Sequence, residues 1–141
     1  MQYLSHDRAD LGLAAAVLAT RMAKPKSSDV ELLRRTVAYL RTHPSLSVLF
    51  EWGSAPSEQV LNLYSDSDWA SCQSTRRSRS GGTVQLNGRT VAHWCRHQDT
   101  VSLSSGEAEL RGIAKAGETS LGIQSVARDL GLDMAISIFS D

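Results

Sequence analysis

The chain has 141 residues, 41% of them hydrophobic, and its fifteen basic and fifteen acidic side chains cancel to a formal charge of zero. That length and composition can bury one core plus a small appendage, and they exclude a disordered or fibrous protein. Balanced charge excludes a uniformly basic coat for nucleic acid, although a local patch survives the sum. Cys72 and Cys95 stand outside any Cys-x-x-Cys spacing, which argues against a zinc site or a disulfide framework and fits a reducing, cytoplasmic setting.

Residues 7–22, "DRADLGLAAAVLATRM", are rich in Ala and Leu at helical spacing, and Pro25 stops the segment; one helix is expected. Its apolar run "LGLAAAVLA" is far shorter than a membrane span and has no charged leader or cleavage pattern around it. A second helix is expected to start at Ser28, with Glu31 completing a capping box and Leu33, Val37 and Leu40 forming the apolar stripe. Arg34, Arg35 and Arg41 then lie on the other face, read as a solvated surface in preference to a nucleic-acid contact. Turn formers and polar residues gather in "EWGSAPSEQ", residues 51–59, the expected boundary between a helical segment and the main domain.

Beyond that boundary the period shortens to two. "QVLNLYSD" reads as a strand ending at its acids, and "GGTVQLNGRTVAHWCRHQ" as two strands joined by Asn87-Gly88, a pair suited to a type I′ turn. "TVSLSS" suggests a further short strand. Ser104 then opens a helix running to about Leu130, stopped by Gly131. "MAISIFSD" is apolar enough for a strand buried on both faces. A helix of that length between two strands is a crossover, so the last strand should lie parallel to one already in the sheet.

This order carries Asp66 and Asp141 to the carboxyl edge of the sheet, where open α/β sheets bind ligands. The long helix adds two glutamates that cannot point the same way. Glu107 is three residues after Ser104 and four before Arg111, so a cap and a helical ion pair account for it. Glu109 shares a stripe with Ile113, Ala116, Ile123 and Ala127, beside the face that packs on the sheet, where a carboxylate is costly unless paired or metal-bound. Asp66, Glu109 and Asp141 can thus converge as an all-oxygen cluster of the kind Mg²⁺ or Mn²⁺ selects. A Glu109 bonded to local backbone or arginine is the alternative. Between Asp68 and Asp99 stand five arginines, 76, 77, 79, 89 and 96, and no acid. Arg76, Arg77 and Arg79, set among serines next to the acids, are read as phosphate contacts. Trp69 and Trp94 are read as core.

The stretches "YSDSDWASCQSTRRSRSGG", "WCRHQDTVSLSSGEAEL" and "IFSD", in this order, resemble the ribonuclease H domain of copia-type retrotransposon polyproteins. Residues 1–52, with "YLSHDRADLGLAAAVLATRMAKP" and "VAYLRTH", are similar to the end of the reverse transcriptase in those polyproteins. The resemblance implies an α/β, ribonuclease H-like mixed sheet over residues 60–141, truncated after its fourth strand, behind the N-terminal helical segment. It also implies endonucleolytic cleavage of RNA in RNA/DNA hybrids with two Mg²⁺ or Mn²⁺ ions. By motif, Asp66 matches the first-strand metal ligand, Glu109 the helix carboxylate and Asp141 the aspartate ending the next parallel strand. The implied partners are the hybrid and the rest of the polyprotein, including its reverse transcriptase, in the cytoplasm with nuclear or virus-like-particle association.

Members of that family continue beyond the position of Asp141 into further helices, a last strand and a fourth acid, often preceded by a histidine. The chain is accordingly expected to be a polyprotein fragment with weak or no cleavage by itself. A decayed fragment that binds nucleic acid through Arg76, Arg77 and Arg79 without cutting is the competing expectation; a stand-alone two-metal phosphatase is disfavoured for want of further ligands.

Overall fold

A computed structural model describes residues 2–50 and 59–140, so both the expected boundary at 51–58 and Asp141 lie outside the described residues. The chain divides into two compact units, residues 1–48 and 49–141. Among the described residues no helix is long and apolar enough to cross a membrane.

In the first unit the expected single helix is broken. The α1 helix spans Leu4–Asp7, a 3-10 turn follows at Ala9–Leu11, and α2 spans Gly12–Arg21. Arg8 makes the break: its backbone leaves the helical region (φ −120°, ψ 88°). Its buried guanidinium forks onto Asp10 at 3.0 and 2.7 Å and reaches the His43 carbonyl at 3.1 Å. Tyr39 donates its hydroxyl to the same carboxylate at 2.8 Å. These bonds, the Arg8 pair first, hold the Asp10 carboxyl down at about 2. Helix α3 spans Ser27–Thr42, beginning one residue ahead of Ser28. Its capping acid is Asp29, which accepts from the Lys26 N–H at 2.8 Å and from Arg21 at 2.6 Å; Glu31 instead pairs with Arg34 and Arg35 on the surface. The apolar stripe is also rotated from expectation. Leu33 and Val37 are 41% and 47% exposed while Thr36 is buried, because α3 turns the face carrying Asp29, Leu32, Thr36 and Leu40 inward.

The second unit is an α/β fold with a mixed sheet. Strands β1 (Gln59–Asp68), β2 (Arg79–Leu86), β3 (Arg89–His97) and β4 (Met134–Ser140), with α4 (Ser105–Asp129) before β4, form a sheet of order β3-β2-β1-β4. β1 pairs antiparallel with β2 and parallel with β4 across the α4 crossover, as the ribonuclease H-like arrangement requires. Asn87 and Gly88 both take positive φ, 49° and 81°, as a type I′ turn demands. The Asn87 side chain also accepts from the Val60 N–H at 3.2 Å, tying the turn to β1. "TVSLSS" forms no strand. Ser102 there spends its hydroxyl on the Gln98 side chain, and its carbonyl accepts from Trp69 Nε1 at 3.0 Å. Trp69 is therefore a half-exposed clasp over this loop and not a core residue, whereas Trp94 packs against the core of Leu61, Leu63, Val84, Ala116, Ala127 and Met134.

Helix α4 ends as a full Schellman motif. Gly131 sits at φ 78°, its N–H bonds the Arg128 carbonyl at 3.0 Å, and the Leu132 N–H bonds that of Ala127 at 2.9 Å. β4 is not buried on both faces: Met134 is buried, but Ile138 and Phe139 are exposed. Among the described residues β4 has β1 on one side only, and α4 covers one of its faces.

The buried stripe of α4, Ala108, Gly112, Ala116 and Ser120, lets the helix axis approach β1 closely. A Cβ at Gly112 would stand 2.8 Å from both Ser65 Oγ and Ser67 Oγ, whereas one at Gly122 would meet nothing within 4 Å. The two glycines therefore make a sign test. Gly122→Ala should raise stability by up to about 1 kcal/mol through helix propensity. Gly112→Ala gains the same term but overpacks a filled site at a cost of about 1–3 kcal/mol, so its melting temperature should fall. Thermal denaturation of both variants checks this; a rise for Gly112→Ala would show that α4 and β1 do not meet there.

Candidate active site

Asp66 sits near the end of β1, opposite Gly81 of β2. Its neighbours Ser65 and Ser67 are buried, so strand alternation puts Asp66 on the exposed face with Tyr64 and Asp68. On that face Tyr64 stacks on Phe139 with ring centroids 5.1 Å apart. Ser65 pairs in register with Ser140, which places Asp66 one residue beyond the last described pair of the parallel strands.

Glu109 reaches the same end of the sheet from α4. It is half-buried and accepts a hydrogen bond from Ser140 Oγ at 3.3 Å. Among the described residues it forms no ion pair with an arginine. Glu107 is occupied, as its spacing required. The Glu107 N–H donates to Ser104 Oγ at 3.1 Å, and Arg111 donates to its carboxylate at 3.1 and 2.8 Å. Its other oxygen accepts from the Leu103 N–H at 2.8 Å, one residue ahead of the cap. The Leu103 N–H and Arg111 hold its carboxyl below the usual range.

The arginine loop is a closed turn. The Arg76 N–H bonds the Cys72 carbonyl at 2.7 Å, and the Cys72 N–H bonds the Arg77 carbonyl at 3.1 Å. Arg76 itself takes a left-handed φ of 58°. Both Arg76 and Arg77 are exposed and form no ion pair among the described residues. The Ser74 and Thr75 hydroxyls beside the Cys72 sulfur draw its thiol down to about 6. Arg79 differs from the other two. It opens β2, faces His97 in register, and donates to His97 Nε2 at 3.1 Å. Arginine can only donate, so His97 Nε2 must accept and its proton resides on Nδ1. Burial first, then the Arg79 charge, lower the His97 pKa, in keeping with a neutral ring.

Of the three expected metal ligands, Asp66 and Glu109 arrive at the carboxyl end of the β1/β4 pair by different routes. Among the described residues no group of three ligating side chains gathers. The two acids fit a hard divalent ion by chemistry, since each offers only carboxylate oxygen. What the sequence reading missed lies behind them: Ser65, Ser67 and Ser80 are buried, together with Gln98 and Ser102. The available signal was period two in β1, where Ser65 and Ser67 continue the inward face of Leu61 and Leu63, so polar groups had to be buried opposite the long helix.

The chain is similar to an uncharacterized mitochondrial protein of Arabidopsis thaliana, with 34% identity over 132 residues, covering 92% of this chain and 53% of that protein. It is similar to the retrovirus-related Pol polyprotein from transposon RE1 of Arabidopsis thaliana, with 30% identity over 132 residues, covering 94% of this chain and 9% of the polyprotein. A secreted RxLR effector protein of Plasmopara viticola shares 34% identity over 109 residues, covering 77% of this chain and 75% of the effector. The chain thus spans about half the length of the first relative, 53%, and about a tenth of the polyprotein, 9%. No family model and no solved structure matches it.

Proposed function

The chain belongs to the family of retrovirus-related Pol polyproteins of copia-type retrotransposons, and from that membership we propose that its second unit contributes a ribonuclease H-type site cutting the RNA strand of RNA/DNA hybrids. The helical first unit is then the end of the reverse transcriptase. The observation that carries the reading is the bond from Ser140 to Glu109, because Ser140 is the register partner of the residue before Asp66. The bond ties the helix carboxylate to the end of β4, on the face that α4 covers, while Asp66 stands at the same end of the neighbouring strand on the opposite face.

Asp66, Glu109 and Asp141 are the residues that would hold Mg²⁺ or Mn²⁺. Such ions, when bound, stabilise charge on the scissile phosphate and lower the pKa of an attacking water. The chain's own part is placement. β1 and α4 present the carboxylates, and the Ser140 hydroxyl orients one Glu109 oxygen. Arg76 and Arg77, exposed on their closed turn, bind phosphate oxygens of the hybrid, while Arg79 is spent on His97. A second reading, phosphate binding without cleavage, rests on Arg76 and Arg77 alone, both exposed on their turn.

Hydrolysis of a labelled RNA/DNA hybrid with Mg²⁺ or Mn²⁺, by this chain and by the intact polyprotein, separates the two readings. Binding without cutting in both leaves only the second. The arginine turn has its own expected result. Arg76→Ala with Arg77→Ala should weaken hybrid binding for every sequence and flatten the slope of log affinity against log salt by roughly 0.9 for each phosphate no longer neutralised. Fluorescence anisotropy across a salt series measures it, and an unchanged slope removes these arginines from the interface.

A further inference from the structure

Beneath the first turns of α4 lies a buried polar network that the proposed chemistry does not touch. Gln98 directly follows β3 and is only 9% exposed. Its side-chain amide donates to Ser80 Oγ at 2.8 Å and to the Ala108 carbonyl at 2.8 Å, while its own oxygen accepts from Ser102 Oγ at 2.8 Å. Ser67 Oγ donates to the same Ala108 carbonyl at 3.0 Å and lies 2.9 Å from Ser80 Oγ. The proton directions follow from valence. A carbonyl only accepts, so Ser67 spends its proton on Ala108; Ser80 must then donate to Ser67 and accept from Gln98. Each of these side-chain protons has an acceptor.

The fully buried stripe of α4 has no residue larger than serine from Ala108 through Gly112 and Ala116 to Ser120. Side chains this small offer no knob that would index the rotation of the first turns against the sheet; Ile123, the α4 side chain that packs against the core, lies more than three turns beyond Ala108. Two hydrogen bonds onto one carbonyl do index it. We propose that Gln98 is the positioning residue that sets the rotational phase of α4 through the Ala108 carbonyl, and so aims Glu109 at the end of β4. A side chain with two donors and one acceptor is required at 98. Glutamate has the shape but would set an oxygen against the Ala108 carbonyl, and Ser80 could donate to that oxygen only by giving up its bond to Ser67; leucine would take one donor from the Ala108 carbonyl and leave the Ser102 hydroxyl without its acceptor.

The consequence for catalysis rests on the function proposed above, whereas the placement of α4 does not, and the experiment separates them. Amide hydrogen exchange is compared in this chain, in Gln98→Glu, and in the core variant Leu61→Val as a control for lost stability. Gln98→Glu should speed exchange at residues 109–113 about tenfold more than at residues 120–127; Leu61→Val should speed both alike. Mn²⁺ titration, followed by relaxation enhancement at Glu109 and Ser140, should show affinity about tenfold or more weaker in Gln98→Glu, the size expected for an outer-shell partner. Uniform or unchanged exchange along α4 overturns the proposal. Failure of the unaltered chain to bind Mn²⁺ while the localised exchange persists counts against the metal reading alone. Should Gln98→Glu not fold, Ser102→Ala, which removes only the anchor on the amide oxygen, must show the same localised pattern at smaller size, and its absence equally overturns the proposal.

Discussion

Glu109→Gln, placed in the intact polyprotein, is expected to reduce metal-dependent hydrolysis of an RNA/DNA hybrid by more than about 100-fold, because loss of an outer-shell partner alone typically costs about 10–100-fold and the proposed site here loses the charge of one of its ligands. The fold should survive unharmed. Gln retains an oxygen able to accept from Ser140, and its size matches that of Glu, so the packing beside β4 is kept. Glu107→Gln should behave in the opposite way. Its side chain serves the Leu103 N–H and Arg111 at the helix start; an amide oxygen still takes the first bond, so only the charge of the pair is lost and cleavage stays near normal. The contrast depends on helix phase, since residues two apart on a helix point about 200° from one another. Initial rates and melting temperatures of both variants decide the matter. If Glu107→Gln abolishes cleavage and Glu109→Gln does not, the site and the phase assigned to α4 are both wrong.

Gly82→Ala is expected to be the most damaging single methyl in the sheet. Gly82 pairs with Ser65 on one side and with Trp94 on the other, and the Trp94 ring folds across it. A Cβ there would collide with Cζ2 and Cη2 of that ring and stand 2.6 Å from the Tyr64 carbonyl. A free ring would yield, but Trp94 packs against the core that Leu61, Leu63 and Val84 form, and the Tyr64 oxygen is main chain of the central strand. Overpacking typically costs about 1–3 kcal/mol, and with a backbone atom among the partners the upper end applies. For a domain of this size about 3 kcal/mol corresponds to a fall in melting temperature of roughly 12–24 °C. Circular dichroism on heating reads it directly. A shift of no more than about 2 °C would mean that Trp94 does not lie on Gly82, and with it would go the packing that closes the β2/β3 side of the sheet.

The parts of this fold legible in the sequence are those decided within a few residues of chain. Asn87-Gly88 makes its turn because both residues tolerate positive φ; Ser104 caps α4 because its hydroxyl reaches an N–H three residues on; Gly131 ends α4 because the left-handed residue of a Schellman motif favours glycine. The cap and ion pair of Glu107 are legible for the same reason, since helix phase is local geometry. Other features required partners distant in sequence. Arg8 breaks the first helix in company with Asp10, Tyr39 and the carbonyl of His43. "TVSLSS" has a strand-like composition, yet Ser102 is committed to Gln98 and its carbonyl to Trp69. Leu33 and Val37 are apolar at helical spacing, but which stripe of α3 is buried depends on the element that covers it, and that element turned Asp29 and Thr36 inward. Ser65 and Ser67 continue the inward face of Leu61 and Leu63 by period two, but only α4 crossing over them, at a distance that Gly112 permits, commits Ser67 to the Ala108 carbonyl. Hydrogen-bond geometry along the chain is a property of the sequence, whereas burial belongs to a surface made by two elements at once, and tertiary packing alone determines which surfaces meet.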